Sequence, residues 1–326
     1  AMITSLRTGA FNRANQLLGG LLVAQIVLAA VVFWPRVIAA GGGLLFSGQT
    51  EAEIVALAVT DGDGKRVALA KDGQEWVLPE ADAFPADGDR VAPLLRKIEQ
   101  LRTGRLVTVT EGSHARLQVA EQKFNRELQI TWSNGAQNTL LLGSTAGAGA
   151  THFRLLEEDE VYLTADLTPW EANTAASNYI DTQFFSVPRD AITAITLQNG
   201  NGSFTFAKRD EKWTWSESTA DETLDDTVLN GLLSQVSSVR MIAPLGKVPK
   251  PSYGFEQPLA TATITSEVGG ALQEHVLRVG AEREGNYVFS ASGAEYYVSV
   301  SAYTAGNLID KTHADFVQAS PEEEAS

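Results

Sequence analysis

The chain writes one pattern twice, and this limits its fold more than any single motif. "DGDGKRVALAKDGQEWVL" from Asp61 and "NGNGSFTFAKRDEKWTWS" from Asn199 each place a doubled Asx-Gly turn after a run of branched aliphatics, "IVALAVT" at 54–60 and "ITAITLQ" at 192–198. Branched aliphatics favour strands, and Asx-Gly pairs accept the positive φ angles of tight hairpins. Each copy is therefore expected to fold back at once, return through Ala70-Lys71 or Ala207-Lys208, and turn again before Trp76 or Trp213.

The correspondence continues in order. "LLRKIEQL" from Leu94 matches "LLSQVSSV" from Leu232, both with the apolar spacing of an amphipathic helix. "RLV" at Arg105 then matches "RMI" at Arg240, and "LLLGS" matches "LRVGA" through Gly143 and Gly280. "EVYL" matches "EYYV" through Tyr162 and Tyr297, and "NYID" matches "NLID" through Asp181 and Asp310. Copies separated by small loop deletions drift in spacing in this way, so the pattern is a duplication. A period of roughly 130 residues means two domains, not a solenoid. Hairpin-like connections with one helix per copy predict the α+β class: two tandem homologous domains, 51–186 and 187–318, of mostly antiparallel sheet with a packed helix each.

Ahead of these domains, 17–34 is an uncharged run, "LLGGLLVAQIVLAAVVFW". At about 1.5 Å per residue it reaches roughly 27 Å, near the thickness of a bilayer's hydrocarbon core. The sequence thus predicts a cytoplasmic N-terminus (1–16), a transmembrane helix (17–36) and a linker (37–50). Trp34 and Arg36 sit where a membrane interface is expected, with the lipid bilayer as partner. The run exceeds a usual signal-peptide core, which favours a retained helix. Arg7 and Arg13 outnumber Arg36, which orients the two domains to the periplasmic or extracytoplasmic side of a bacterial inner membrane. Gly20, Ala24 and Gln25 either form a surface for a partner helix or are ordinary helix filler. The acidic stretch at 319–326 reads as a solvated tail.

Beyond residue 50 the chain carries 22 basic residues against 40 acidic ones, a balance that repels phosphate backbones, so no nucleic acid is expected as partner. Absence of cysteine removes thiol catalysis and cysteine-based metal sites. His114, His152, His275 and His313 show no metal-site spacing and read as surface or structural histidines. "DGDGK" opens like a calcium loop through Asp61 and Asp63, but Arg66 stands where that loop needs glycine, and the hairpin reading wins. "GSTAGAGAT" from Gly143 has no phosphate-loop lysine and reads as a flexible inter-strand loop. Trp76, Trp132, Trp213 and Trp215 read as core, with sugar stacking the lesser alternative. The sequence therefore predicts no catalytic residue, no metal, no cofactor and no enzyme activity. "PLGKVPKPSYGFEQPL" from Pro244 has no close equivalent in the first copy. It is either a partner-facing loop, with Lys247, Lys250, Tyr253 and Phe255 as its contacts, or a rigid connector.

These parts together, with "WVLPEADAFPADGDRVAPLLRKIEQLRTGRLV" from Trp76 as the best stretch, resemble a bacterial domain-of-unknown-function family of single-pass membrane proteins. Genes of that family commonly lie beside ABC transporters of the gliding-motility type and a larger auxiliary protein. The likeness covers about residues 10–315. It implies a non-catalytic, membrane-anchored accessory or scaffold subunit of an ABC-type envelope transport complex. Its partners would be integral membrane and extracytoplasmic subunits. The alternative function is an anchored extracytoplasmic module that binds a ligand, glycan or lipid.

Overall fold

The computed structural model describes residues 21–26, 28 and 42–318. Residues 21–26 and 28 are helical and exposed, Ala24 and Gln25 among them. No helix among the described residues is long and apolar enough to cross a membrane. The fold class expected from sequence, an N-terminal transmembrane helix ahead of two α+β domains, is corrected accordingly: the described residues form two large antiparallel sheets and two small strand pairs, and none of their helices meets the requirement of a span. Gly20, Trp34 and Arg36, the cytoplasmic segment 1–16 and the acidic tail 319–326 lie outside the described residues.

The first unit opens with β1 (Ile54–Asp61), β2 (Arg66–Asp72), β3 (Glu75–Leu78) and the short β4 (Phe84–Pro85), followed by helix α1 (Gly88–Glu99) and β5 (Leu106–Thr108). A one-turn helix α2 (His114–Leu117) and the small hairpin β6 (Val119–Ala120) and β7 (Lys123–Phe124) come next. The unit ends with β8 (Arg126–Trp132), β9 (Gln137–Thr145), β10 (Thr151–Leu155) and β11 (Val161–Thr164). Its nine-stranded sheet runs β4-β3-β2-β1-β8-β9-β10-β11-β5. Gly143 lies inside β9, so the glycine-rich stretch begins as strand, correcting its reading as a loop from Gly143 onward.

β12 (Gln183–Ser186) leads into the second unit: β13 (Ile192–Asn199), β14 (Gly202–Arg209), β15 (Lys212–Trp215), α3 (Asp226–Ser237), β16 (Ser238–Arg240) and β17 (Ala243–Gly246). β18 (Ala260–Val268), β19 (Ala271–Arg283), β20 (Asn286–Ala291), β21 (Tyr297–Ser301) and helix α4 (Ala302–Ile309) complete it. β12 and β16 pair with each other, and the remaining strands form an eight-stranded sheet, β15-β14-β13-β18-β19-β20-β21-β17. That is the order of the first sheet with β4 omitted.

The likeness extends to irregularities. β1 shifts register against β8 between Ile54 and Ala56, and β13 shifts against β18 between Ile192 and Ala194. A bulge bends a strand and re-aims its side chains, so its retention in both copies keeps the same curvature over the helix. The helices bury the same four positions: Val91, Leu94, Leu95 and Ile98 on α1, and Leu229, Leu232, Leu233 and Val236 on α3. Positions three and four apart share one helix face, and each aliphatic side chain removed from water there contributes about 1.5–3 kcal/mol. Aspartates cap both starts, Asp87 accepting from Asp89 N and Asp225 from Thr227 N. The buried apolar side chains of the two units join in one continuous core.

The doubled turns carry a longer-range role. Asp61 Oδ1 accepts from Asp63 N and Lys65 N, and Asn199 Oδ1 accepts from Asn201 N, closing the two hairpins alike. Their other oxygen or nitrogen ties the hairpin to the segment that ends each unit. Thr174 Oγ1 donates to Asp61 Oδ2 at 3.3 Å, whereas Asn199 Nδ2 donates to the carbonyls of Leu308 and Lys311 at 2.9 and 2.8 Å. An amide can donate to the C-terminal carbonyls of α4 and a carboxylate cannot.

Candidate functional site

The two sheets differ most at the strand that ends each of them, β5 in the first and β17 in the second. β17 packs against first-unit residues Pro79–Ala81 and Ala176–Asn178. Where it ends, Lys247 N donates to Asp82 Oδ2 at 2.7 Å. Tyr296 Oη donates to Ala83 O at 3.3 Å, and its ring meets that of Phe84 edge-on, with centroids 4.8 Å apart. Asp82 and Ala83 both hold left-handed backbone, φ 52° and 58°, a costly conformation for residues with a side chain. The second unit's terminal strand is thereby covered by the first unit.

β5 pairs with β11 on one side, through Thr108 opposite Val161 and Leu106 opposite Tyr162. On its other side no strand among the described residues pairs with it. Leu106, Val107 and Val109 stand 41%, 41% and 56% exposed along it. An edge of unpaired backbone groups flanked by exposed aliphatics is a template for another strand, and soluble proteins ordinarily blunt such edges with charge, proline or cover. Neither "RLV" nor "RMI" signals this asymmetry, because equivalent strands acquire different neighbours only through packing of the two units.

The residues of the proline-rich loop fall mostly on their own domain. Tyr253 is buried at 1% exposure and donates to Leu245 O at 2.9 Å, and Phe255 packs beside Tyr253 and Tyr297. Lys250 Nζ lies 5.7 Å from the Tyr253 ring centre. Lys247 Nζ pairs with Glu295 at 2.7 Å and lies over Tyr296. That hydrogen bond with Glu295, then that with Tyr296, raises the ammonium above the usual lysine range. Lys247 thus faces the seam between the sister units.

Titratable side chains elsewhere are engaged in holding strands and loops in place. His114 Nε2 meets Asp159 O at 3.0 Å, His152 Nδ1 meets Ser144 O at 2.7 Å, and His275 Nε2 meets Ser266 Oγ at 3.2 Å. His313 lies against Trp215 and meets Glu222 at 3.0 Å. Arg154, 5% exposed, donates to the carbonyls of Val119, Leu155, Leu156 and Glu158. Burial pushes its guanidinium down, against the pull of Asp159 and Glu157. These contacts pin α2 and β6 across the sheet. Among the described residues no group of His, Asp and Glu stands together that could hold a metal ion. Trp76, Trp132 and Trp215 are buried and Trp213 is partly so, which puts these four rings in or against the core.

The family described as Domain of unknown function (DUF4340) matches residues 76–258. The match begins within β3 and ends just before β18, so it takes most of the first unit and the start of the second, the apolar helices included. No curated protein and no solved structure matches the chain.

Proposed function

The chain belongs to the family described as Domain of unknown function (DUF4340), and from that premise we propose that it is a non-catalytic accessory subunit of an ABC-type envelope complex, holding an extracytoplasmic partner by strand addition along β5. The observation that carries this reading is the unequal fate of two equivalent edges: β17 is covered by the sister unit, while Leu106, Val107 and Val109 line an edge with no strand beside it among the described residues. Strand addition takes affinity from main-chain hydrogen bonds and specificity from alternate side chains. Resemblance to proteins encoded beside gliding-motility-type transporters supplies the class of partner, a permease-associated or auxiliary subunit.

A photo-reactive residue placed at Val107 in the full-length chain, expressed in its native cell, tests this. The expected adduct is with a membrane or extracytoplasmic subunit of a transporter, and Leu106→Lys with Val107→Lys reduces recovery of that subunit at least about tenfold. Recovery of the chain alone, or amide exchange over 106–108 as slow in the isolated chain as in the central strand β18, sinks the proposal.

A further inference from the structure

Each unit also carries an open cleft between its helix and the segment that closes it, and the two clefts are copies of one another. α1 contributes Arg90, Pro93, Leu94 and Lys97 to the first, and α3 contributes Val228, Gly231, Leu232 and Gln235 to the second. These are the same four positions of two twelve-residue helices. Both clefts measure about 330 Å³. Opposite the helix stands one exposed aromatic ring in each, Trp170 at 81% exposure and Tyr303 at 78%, and the buried Tyr179 also lines the first cleft. Among the described residues these are the two most exposed large apolar side chains.

Polar and charged groups make up much of the rest, and the second cleft adds Ser234 and the cation Lys311, whose charge acts on Asp315. In the first cleft Arg90 pairs with Asp87 and Lys97 with Glu171, each at 2.9 Å, so its cations are already answered. Amides supply the other polar groups. Asn173 Oδ1 accepts from Ala175 N and Asn178 Nδ2 donates to Ala175 O, while across the second cleft Asn307 Nδ2 donates to Gln235 Oε1 at 3.2 Å. A carboxamide has two donor protons and two acceptor lone pairs, and these bonds use only part of that capacity. Below lie buried leucines, Leu94 and Leu232.

One ligand chemistry matches a solvent-facing ring beside partly engaged amides: a neutral sugar. A pyranose has a face of C–H groups that stacks on an aromatic ring and an equator of hydroxyls, each both donor and acceptor, that amides meet pairwise. A lipid tail would bury the amides and ion pairs of these linings without partners, and an anion would need an unanswered cation in both copies, whereas Arg90 and Lys97 of the first are paired. The volume lies at the low end for small-ligand sites and suits one or two sugar rings. We propose that the two clefts are a duplicated binding site for neutral saccharides, with Trp170 and Tyr303 as stacking platforms and Asn173, Asn178, Gln235 and Asn307 as the groups that meet hydroxyls.

Calorimetric titration of the full-length chain with maltotetraose, cellotetraose and chitotetraose tests it. At least one of the three is expected to bind at two sites per chain. Trp170→Ala and Tyr303→Ala each leave one site, the double variant leaves none, and Trp170→Phe with Tyr303→Phe retains both. Because both rings are exposed, unchanged thermal unfolding of the variants separates lost binding from lost fold. The proposal is overturned if none of the three sugars binds, if the double alanine variant binds as the parent does, or if the parent binds no sugar while the double alanine variant sheds a protein that co-purifies with the parent. The last outcome would make the clefts protein anchors.

Discussion

The two domains agree on the covered face of their sheets and part company on the other. Both place one glycine on the central strand where a loop crosses the sheet. A Cβ at Gly143 would come within 2.2 Å of Leu117 O, and one at Gly280 within 2.1 Å of Tyr253 O. In the first domain the crossing loop is an elaborate insert, with α2 and the β6–β7 hairpin, packed on the sheet through a small apolar cluster and held by the buried Arg154 of β10. In the second it is the single turn Pro251–Tyr253. The contrast teaches what a duplication must keep. Positions that meet the shared core are tied to many neighbours and cannot change alone, whereas a cap or an edge can be rebuilt so long as the chain still reaches the next strand.

The sharpest way to break this comparison is to give both glycines a side chain. The opposing atoms are backbone carbonyls, so relief requires moving a loop rather than turning a rotamer. Gly143→Ala and Gly280→Ala are each expected to lose about 3 kcal/mol or more in denaturant unfolding. Near-equal losses would support one shared constraint, and a neutral result at either position would show that its loop yields.

A smaller and asymmetric effect is expected in alkali. Tyr179 of "NYID" occupies the place of Leu308 in "NLID", and both are buried. Burial pushes the Tyr179 phenol up to about 12, while its hydroxyl donates to Asn173 O at 2.8 Å. A group whose pKa is higher folded than unfolded contributes stability that is complete below the unfolded value, about 10, and is lost as pH rises through about 12. The loss amounts to about 2–3 kcal/mol. Unfolding followed at pH 9 to 12 should show it in the parent chain and not in Tyr179→Phe. Persistence of the full decline in that variant would place the alkaline sensitivity elsewhere.

The smallest effect tests sameness directly. Asp87→Ala and Asp225→Ala each remove a side chain that accepts from the first turn of the helix, and each is expected to cost about 1 kcal/mol. Midpoints that fall by clearly different amounts would mean the two helices are not held alike.

Much of this fold could be read directly. The hairpins at Asp61 and Asn199, the helix faces of α1 and α3, and the closing tyrosine and leucine all rest on interactions a few residues long or on a pattern written twice. Histidines as structural residues and tryptophans as core were legible for the same reason. The hydrophobic run at 17–34 was legible as composition; of it the structure describes 21–26 and 28, and no described helix is long and apolar enough to cross a membrane. Trp170 and Tyr303 carried no usable signal, since an aromatic residue near a turn reads as core or surface alike.

By itself the sequence determined that there are two similar units, which residues face inward in each, and where the chain must turn, because these depend on local geometry and on periodic burial. Tertiary structure alone decided that β17 packs against the sister unit while β5 has no second strand beside it among the described residues, and that two aromatic rings stand in water above two copies of one cleft. Neighbours of an edge or a ring are set by how whole units pack, a free energy summed over distant contacts that no short stretch of residues encodes.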